Sequence, residues 1–538
     1  MTEQEVIKKE EVSLEFLKWI ENKVLPQINK LEYSIRDGIR NTIRYKLKHK
    51  GDVNAFLFDL FTDYKVEVNT EEYFKQKKVK ENKEEKINLK QNYINLIAGK
   101  EKNWGEASEI LTQFIKSKMW IYTTKDDVKT EVWVYDDGIY VPQGKSEIKK
   151  LLREILGEFY SAYIYNLVIA KIEPDTFIDA DKFFKISYPD EVPLLNGILN
   201  IRTLALTEYN PEKIFFSKMP VKFDTTKECP KIDQFLKDIL KNEEDVNIIY
   251  ELAGFGLLDE YKFEKAFMLL GNGRNGKGKM IELFKRLFGI ENCCSISLMS
   301  LKTNDFSISN LFGKKLNLAG DIGYNDLKET CMFKSLTGRD LVGAKRKFLQ
   351  DLFFTNSAKF VFACNELPMV YDMSKGFWDR WILLDFPYTF VNQNEYDKAE
   401  DNKMLKIRDD DIIGKIISDD ELSGLLNQSL LGLNRLESQK RFSTTRGSEE
   451  VKQVWIRKSN SFIAFCLDMI EDSYDSRISK RDLRKKYAKY CKEHKIPTKS
   501  DFVIKRVLQE TYGANEIRGV FGEFNVRNDF WEGITWKK

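Results

Sequence analysis

The sequence predicts an α/β fold organised on a parallel sheet, and three observations carry that prediction. Four short runs with apolar cores, "KAFMLL" (265–270), "KLNLAG" (315–320), "KFVFAC" (359–364) and "RWILLDF" (380–386), are separated by helical stretches. This is the pattern of strands covered on both faces. The first run enters a glycine-rich loop, "GNGRNGKGKM" (271–280), and a helix leaves it. The end of the chain reads as three helices followed by short β-like segments, which fits a winged-helix module.

At 538 residues the chain has room for roughly three or four domains of about 150 residues each. With 42% hydrophobic and 13% aromatic residues it can bury sizeable cores. Its 87 basic and 84 acidic residues nearly cancel, so the whole chain advertises no polyanion partner. From Val451 to Lys538, however, 19 Lys and Arg stand against 12 Asp and Glu, a modestly basic tail whose plainer reading is an ordinary solvated surface. The seven cysteines form no C-x-x-C pair and the only histidines are His49 and His494, which argues against a zinc site or a disulfide framework. No charged-then-apolar leader opens the chain, and no apolar run approaches the roughly 18 residues of a membrane span. A soluble, cytoplasmic protein with no membrane partner is expected.

Residues 1–105 read as a highly charged helical region of unassigned role. Leu14, Leu17, Ile20, Val24 and Leu25 follow helical spacing, and Gly51-Asp52 interrupts before "VNAFLFDLF". The mixed-charge run "KQKKVKENKEEKINLK" (75–90) suits a solvated helix or tether. Residues 106–229 read as an α+β domain. There "EVWVYDDGIYV" (131–141) predicts a β-hairpin turning at Asp136-Asp137-Gly138, a helix is expected from Ser146 to about Tyr165, and "LLNGILNIRTLALTEYNP" (194–211) predicts a short β unit. Residues 230–444 hold the strand–loop–helix alternation of the α/β core. Residues 445–538 hold the helices "NSFIAFCLDMIED", "KRDLRKKYAKYCKEH" and "KSDFVIKRVLQETYG", then "EIRGVFGEFNV" and "FWEGITW".

The glycine-rich loop has the spacing G-x-x-x-x-G-K, from Gly271 through Gly276 and Lys277. Such a loop works because its backbone N–H groups curl around phosphates at a helix N-terminus, where the helix dipole favours negative charge. A buried strand, Phe267 to Leu270, enters it. The helix that leaves has Met280, Ile281, Phe284, Leu287 and Phe288 on one face and Gly289 as its stop. Gly271, Gly273, Asn275, Gly276, Lys277, Gly278 and Lys279 are thus the candidate ATP-binding residues, with Lys277 as the β/γ-phosphate contact. Gly278 stands where a hydroxyl would help hold Mg²⁺. On the residues alone three readings stay open: an accidental match, a nucleotide site that lost its metal, or one that coordinates metal differently.

Asp321, after "LNLAG", is the candidate metal carboxylate. Asn365 ends another strand as a polar tip for the γ-phosphate or the attacking water, and Arg380 directly precedes a further strand. Each has a plainer reading: a loop aspartate, a strand-end turn former, a surface ion pair.

In order and wording these motifs resemble the superfamily 3 DNA helicases of the phage/plasmid primase-helicase type, a branch of the AAA+ class also found in viruses. Their phosphate loop commonly reads G-x-G-x-N-G-K, as Gly271, Gly273, Asn275, Gly276 and Lys277 do here. Their L-T-G-x-D is matched by Leu336, Thr337, Gly338 and Asp340, their N-x-x-P by Asn365 and Pro368, and their G-F-W-x-R by Gly376, Phe377, Trp378 and Arg380. The likeness covers about 230–440. Weaker likeness extends to "NGILNI" with "CPKIDQFLKDIL", to "SGLLNQSLLGLNRL" as a helical lid, and to the winged helix.

The resemblance implies a P-loop AAA+ ATPase core with helical lid over 230–444, assembled as a ring, usually a homo-hexamer, with ATP and Mg²⁺ held between subunits. Lys277 and Asp321 would lie on one side of the interface, and Arg380 would reach the neighbour's γ-phosphate. The stretch "GRDLVGAKRKFLQD" would form a hairpin in the central channel, with Lys345, Arg346 and Lys347 gripping single-stranded DNA. Lys499, Lys505 and Arg506 would meet duplex at a fork. Movement 3′ to 5′ is implied as well. Two departures stand out: no second acid directly follows Asp321, Asp326 being the nearest, and Asp379 occupies a position where many relatives have arginine. The two-metal chemistry of a primase needs a carboxylate cluster in its own domain. Residues 1–105 are too short for one, so a separate primase polypeptide is expected. Relatives with glycine after the lysine exist in this family, so Mg²⁺ would rely on ATP oxygens, water and Asp321. The expectation is a ring-forming replicative helicase of a virus, plasmid or integrated element. The alternatives are an ATP-binding initiator or scaffold with weak or no hydrolysis, and, more distantly, a packaging or RNA motor.

Overall fold

The computed structural model describes residues 71–537 apart from 99, 125–129, 304, 321–326, 328, 346–351, 495, 497 and 521–526, together with Phe16 and Trp19. The Leu14–Leu25 spacing, "VNAFLFDLF", Asp321, Asp326, Arg346 and Lys347 therefore lie outside the described residues, save Phe16 and Trp19. The chain divides into two compact units, one drawn from Met1–Lys118 and Lys145–Asp175, the other from Met119–Gly144 and Thr176–Lys538.

The described part of the first unit is helical: α1 (Glu71–Ile97), α2 (Trp104–Lys118), α3 (Gly144–Leu156, from Lys145 onward) and α4 (Ala162–Asp175). The mixed-charge run lies within α1, with Lys83, Glu84 and Glu85 exposed. Helix α2 buries Ala107, Leu111 and Ile115 at i, i+4 and i+8. Its start is capped by Asn103, whose Oδ1 accepts from the Glu106 N–H at 3.1 Å. The helix expected from Ser146 to Tyr165 breaks at Gly157, where φ is +58°. Only glycine enters that left-handed region cheaply, and α3 stops there.

The second unit opens with a four-stranded sheet ordered β3-β2-β1-β4, made of β1 (Ile121–Thr124), β2 (Glu131–Asp136), β3 (Ile139–Val141) and β4 (Phe177–Ile178). The β2–β3 hairpin forms as expected, with φ of +43° at Asp137 and +96° at Gly138, the positive pair a tight hairpin turn demands. The short β unit follows as β5 (Glu191–Leu194), β6 (Gly197–Asn200) and β7 (Leu206–Thr207), all antiparallel.

Helices α5 (Pro230–Ile239) and α6 (Glu243–Leu257) lead into the central sheet. Its strands are β8 (Ala266–Leu270), β9 (Cys293–Cys294), β10 (Leu316–Ala319), β13 (Lys359–Cys364) and β14 (Trp381–Asp385), ordered β14-β8-β13-β10-β9 and parallel throughout. Strands β8 and β13 are buried at every position, as expected of strands covered on both faces. Strand β9 was not anticipated, because two cysteines make no apolar run. Between β10 and β13 lie helix α8 (Cys331–Thr337) and an antiparallel ribbon, β11 (Leu341–Ala344) with β12 (Leu352–Thr355). Helix α7 (Lys277–Phe288) follows β8, and β15 (Thr389–Val391) pairs in parallel with β16 (Leu405–Ile407).

Helix α9 (Asp419–Gln439) crosses α6 at close range. A Cβ on Gly254 would fall 2.3 Å from the Ser429 carbonyl, and one on Gly432 would fall 2.5 Å from that of Tyr250. Glu251, fully buried at this crossing, is bonded by Arg435 at 2.7 Å and by Ser443, which keeps its charge compensated.

The chain ends with α10 (Ser448–Ser459), α11 (Ser461–Met469), β17 (Ile470–Ser479), α12 (Lys480–Glu493), α13 (Asp501–Tyr512), β18 (Asn515–Val520) and β19 (Arg527–Trp536). The last three strands form a sheet ordered β17-β19-β18, over a core that includes Phe462, Leu483, Tyr487, Trp531 and Ile534. The helix read as "NSFIAFCLDMIED" ends at Met469, and a ten-residue strand follows. Ile470 and Ile478 are buried against β19, a partner more than fifty residues away that no local pattern announces. No helix among the described residues is long and apolar enough to cross a membrane.

Candidate functional site

Strand β8 delivers the glycine-rich loop to the carboxyl edge of the sheet. There β8 lies between β13 and β14, and the strand order reverses, the place where open α/β sheets receive ligands. The loop is shaped by its glycines. A Cβ on Gly271 would lie 1.8 Å from Asn275 Nδ2 and 2.6 Å from the Phe386 carbonyl, and one on Gly276, where φ is +88°, would lie 2.5 Å from Ile239. Gly273 also has positive φ, at +90°, with open space beside it. Asn275 folds back into the loop. Its Nδ2 donates to the Phe386 carbonyl at 3.4 Å and its Oδ1 accepts from Lys277 at 3.2 Å.

Helix α7 begins at Lys277 with no side-chain cap, so its first-turn N–H groups are oriented for an anion at the loop. Lys277 is 7% exposed. Its Nζ donates to the Gly271 carbonyl and, at 3.2 Å, to Oδ1 of Asn365 at the end of β13. Two residues separated by 88 positions thus meet at one point. A Cβ on Gly278 would face open space, with nothing within 4 Å of it. Lys279 pairs with Glu282 at 3.4 Å. The donor set, the cradle that any side chain at Gly271 or Gly276 would fill, and a buried ammonium fit a phosphate group. Among the described residues there is no cluster of three or more His, Cys, Asp or Glu suited to a metal ion, and Asp321 lies outside them.

Arg380 sits elsewhere. It precedes β14, at the amino edge of the sheet, and its carbonyl accepts from the Ala266 N–H at the start of β8. A strand of five residues at about 3.3 Å each separates the two edges by roughly 16 Å. Its Nε donates to Thr337 Oγ1 at 2.8 Å, its Nη1 to the Gly376 carbonyl, and its Nη2 pairs with Glu264 at 3.3 Å. The L-T-G-x-D and G-F-W-x-R segments therefore meet at Arg380, away from Lys277 and Asn365.

The basic residues separate too. Lys345 is exposed at the end of β11. Lys505 pairs with Glu516 at 3.0 Å, and the Arg506 guanidinium lies over the Tyr371 ring at 5.2 Å. Lys499 lines a cleft of about 750 Å³ that also includes Gly271, Asn272, Asn365, Asp385 and Arg446.

Asp385 was missed by the sequence reading, although it ends β14 at the same sheet edge as Asn365. It pairs with Arg446 at 2.7 Å and Lys458 at 3.1 Å. Burial would raise its carboxyl, but these bonds outweigh burial and hold it below the usual carboxylate range. Nearby Asp245 is raised, by burial first and by the neighbouring Asp385 charge among lesser causes. Arg446 and Lys458 stand 61 and 73 positions from Asp385, too far for any spacing rule to connect them.

These features define a mixed α/β protein with a glycine-rich loop cradling a buried lysine at the carboxyl edge of a parallel sheet. Among known families, residues 54–241 match the family described as D5 N terminal like, and residues 269–380 match a family of unknown function, DUF5906. Lys277, Asp321, Asn365 and Arg380 all fall within the second match. The chain is 28% identical over 173 residues to "Putative helicase L207/L206" of Acanthamoeba polyphaga mimivirus, covering 31% of this chain and 18% of that protein. It is 23% identical over 365 residues to "Putative helicase V13" of Sputnik virophage, covering 63% of this chain and 44% of that protein. The chain thus spans less than half the length of these curated relatives. The apo structure of the NrS-1 C terminal region is similar at a TM-score of 0.43 and 14% identity, over 79% of this chain and 98% of that one. The D5 N terminal like match and the two viral relatives support a relationship to viral helicases.

Proposed function

We propose that this chain is an ATP-dependent, ring-forming replicative DNA helicase of a virus, plasmid or integrated element, with a P-loop AAA+ core of the superfamily 3 kind and a C-terminal winged helix. The single observation that carries the reading is the meeting of Lys277 Nζ with Asn365 at the reversal point of the parallel sheet, beside the loop of Gly271–Gly276. Lys277 and the first-turn N–H groups of α7 bind and orient the β- and γ-phosphates of ATP, and Asn365 positions the attacking water. Asn275 keeps the loop in its binding shape by clamping it to the Phe386 carbonyl. A bound Mg²⁺ would supply neutralisation of phosphate charge, and with no hydroxyl at Gly278 the side chain that would hold it is Asp321.

Arg380, about a strand's length from Lys277, acts, as the resemblance implies, on ATP bound by a neighbouring copy, so that hydrolysis depends on assembly into a homo-hexamer. Cycles of hydrolysis then carry the Lys345–Lys347 segment along one DNA strand and open the fork. The helix, strand, helix, helix, strand, strand order from α11 to β19 supports the winged-helix part of the reading.

One observation favours a second reading, an ATP-binding initiator or scaffold without turnover: Arg380 is engaged within its own chain by Glu264 and Thr337. Purified protein with Mg-ATP is expected to show DNA-stimulated ATPase and strand displacement, both abolished in Lys277→Ala and in Asp321→Ala. Absence of DNA-stimulated ATPase in the wild type sinks the helicase. Near-normal turnover in Asp321→Ala means the metal carboxylate is another residue. Mixing Arg380→Ala with Lys277→Ala subunits is expected to restore partial ATPase, whereas rings without turnover favour the scaffold.

A further inference from the structure

Helix α12 has seven Lys and Arg against only Asp482 and Glu493, the largest excess of positive charge on any helix among the described residues. Its buried stripe is Leu483, Tyr487 and Cys491, at i, i+4 and i+8, which seats it on the core of the C-terminal module. Four of the seven cations are engaged. Lys480 pairs with Glu516 at 2.7 Å, Arg484 with Asp501 at 2.7 Å and Lys489 with Glu493 at 3.7 Å, while Lys486 lies 3.8 Å from the centre of the Trp536 ring. Arg481, Lys485 and Lys492 are exposed and, among the described residues, have no carboxylate or aromatic partner.

Spacings of four and seven place these three on one face of the helix. At 1.5 Å per residue they form a straight row about 16 Å long. Helix α13 offers nothing comparable. It has two bases and two acids, its Lys505 is paired with Glu516, and its Arg506 is held over Tyr371. A row of like charges left uncompensated by the protein is repulsive on its own and is relieved by an external polyanion.

We propose that this face of α12, not α13, contacts the phosphate backbone of a nucleic-acid duplex through Arg481, Lys485 and Lys492, without reading sequence. Duplex is favoured over single strand on two grounds. A rigid helix presents its charges at fixed intervals, matching the fixed phosphate rows of a duplex. The residue between Lys485 and Lys492 on the same face is Ala488, so the row lacks the aromatic platforms on which unpaired bases stack. The proposal does not depend on ATP turnover.

The test measures binding of the full chain, without nucleotide, to a labelled blunt duplex and to a single strand of equal length, by fluorescence anisotropy over a salt series. In Arg481→Glu/Lys485→Glu/Lys492→Glu, duplex affinity is expected to fall about tenfold or more. In the triple alanine variant the slope of log affinity against log salt is expected to shrink by about 2.7, which is about 0.9 for each lost phosphate contact. The charge-preserving variant Arg481→Lys/Lys485→Arg/Lys492→Arg is expected to bind like wild type, and Lys505→Ala is expected to leave duplex affinity within about twofold. An unchanged duplex affinity and salt slope in the glutamate variant overturns the proposal, as does a loss confined to the single strand. A wild type that hydrolyses no ATP yet loses duplex binding on these changes sinks the helicase reading and leaves this one standing.

Discussion

At the carboxyl edge of the central sheet, Lys277 reaches oxygens of Gly271, Asn275 and Asn365 beside a cleft of about 750 Å³. At the amino edge, Lys359 reaches the carbonyls of Leu258, at 2.6 Å, and Ser357, under the rings of Phe255 and Tyr261 and with no exposed surface. Beside it Lys315 bonds the Leu257 carbonyl at 3.3 Å and pairs with Asp259. Both edges thus bury a lysine, but for opposite purposes. The two amino-edge lysines cap the end of α6, where unsatisfied carbonyls and the negative end of the helix dipole favour cations. Lys277 stands at a helix N-terminus, where a cation opposes the dipole and an incoming anion would be favoured by both. The same residue type is a structural plug at one edge and, in the function proposed above, a ligand contact at the other, and helix polarity sets the two apart.

The sharpest way to break this comparison is Lys277→Ala. ATPase is expected to drop on the order of 10²–10³-fold or more, while thermal melting of the protein moves only a few degrees. A collapse of the fold would show that Lys277 is a plug as well.

The converse is Lys359→Met, which strands the Leu258 and Ser357 carbonyls and is expected to cost about 1–3 kcal/mol by denaturant titration, with ATPase per folded molecule unchanged. This effect is pH-dependent. Burial, aided by the charge of Lys315, pushes Lys359 down to about 7 from its ordinary value near 10.5. Above the unfolded value both states are neutral and the burial of charge costs nothing. As pH falls toward 7 the unfolded chain takes up the proton first, so the wild type loses stability on the way down. Wild type relative to Lys359→Met is therefore expected to gain stability from about pH 7 to about pH 10, by on the order of 1 kcal/mol or more. A difference that stays flat over that range would mean that Lys359 keeps its ordinary proton affinity.

The smallest effect is expected from Gly278→Ser. The position is open and its φ is not among the positive ones, so stability should change by no more than about 0.5 kcal/mol and hydrolysis should persist within a few-fold. A large loss of either would show that the glycine is required for shape.

Local patterns were enough for much of the fold. The four apolar runs became β8, β10, β13 and β14, because a strand buried on both faces needs a continuous apolar run wherever it is placed. The Asp137-Gly138 turn and the glycine-rich loop between β8 and α7 were equally legible, since backbone geometry there restricts the residue choice. Strand β9 and the long β17 were not, for their partners lie far along the chain and their own residues are ambivalent.

The candidate site divides in the same way. The sequence by itself determined that Gly271–Lys277 is a glycine-rich loop between a strand and a helix, a candidate for holding an anion, and it singled out Asn365 and Arg380 as polar groups at strand ends. Only the tertiary structure decided their grouping. The parallel pairing of β13 with β8 carries Asn365 to Lys277. The same pairing of β14 leaves Arg380 at the opposite edge, and brings Asp385, Arg446 and Lys458 together from three distant segments. It also decided which basic residues keep free charge, pairing exposed Lys505 with Glu516 and setting Arg506 over Tyr371 while leaving Arg481, Lys485 and Lys492 in a row. The physical reason is range. Loop and helix chemistry acts over a few residues, whereas ion pairs and strand registers are chosen by which surfaces the buried core brings into contact.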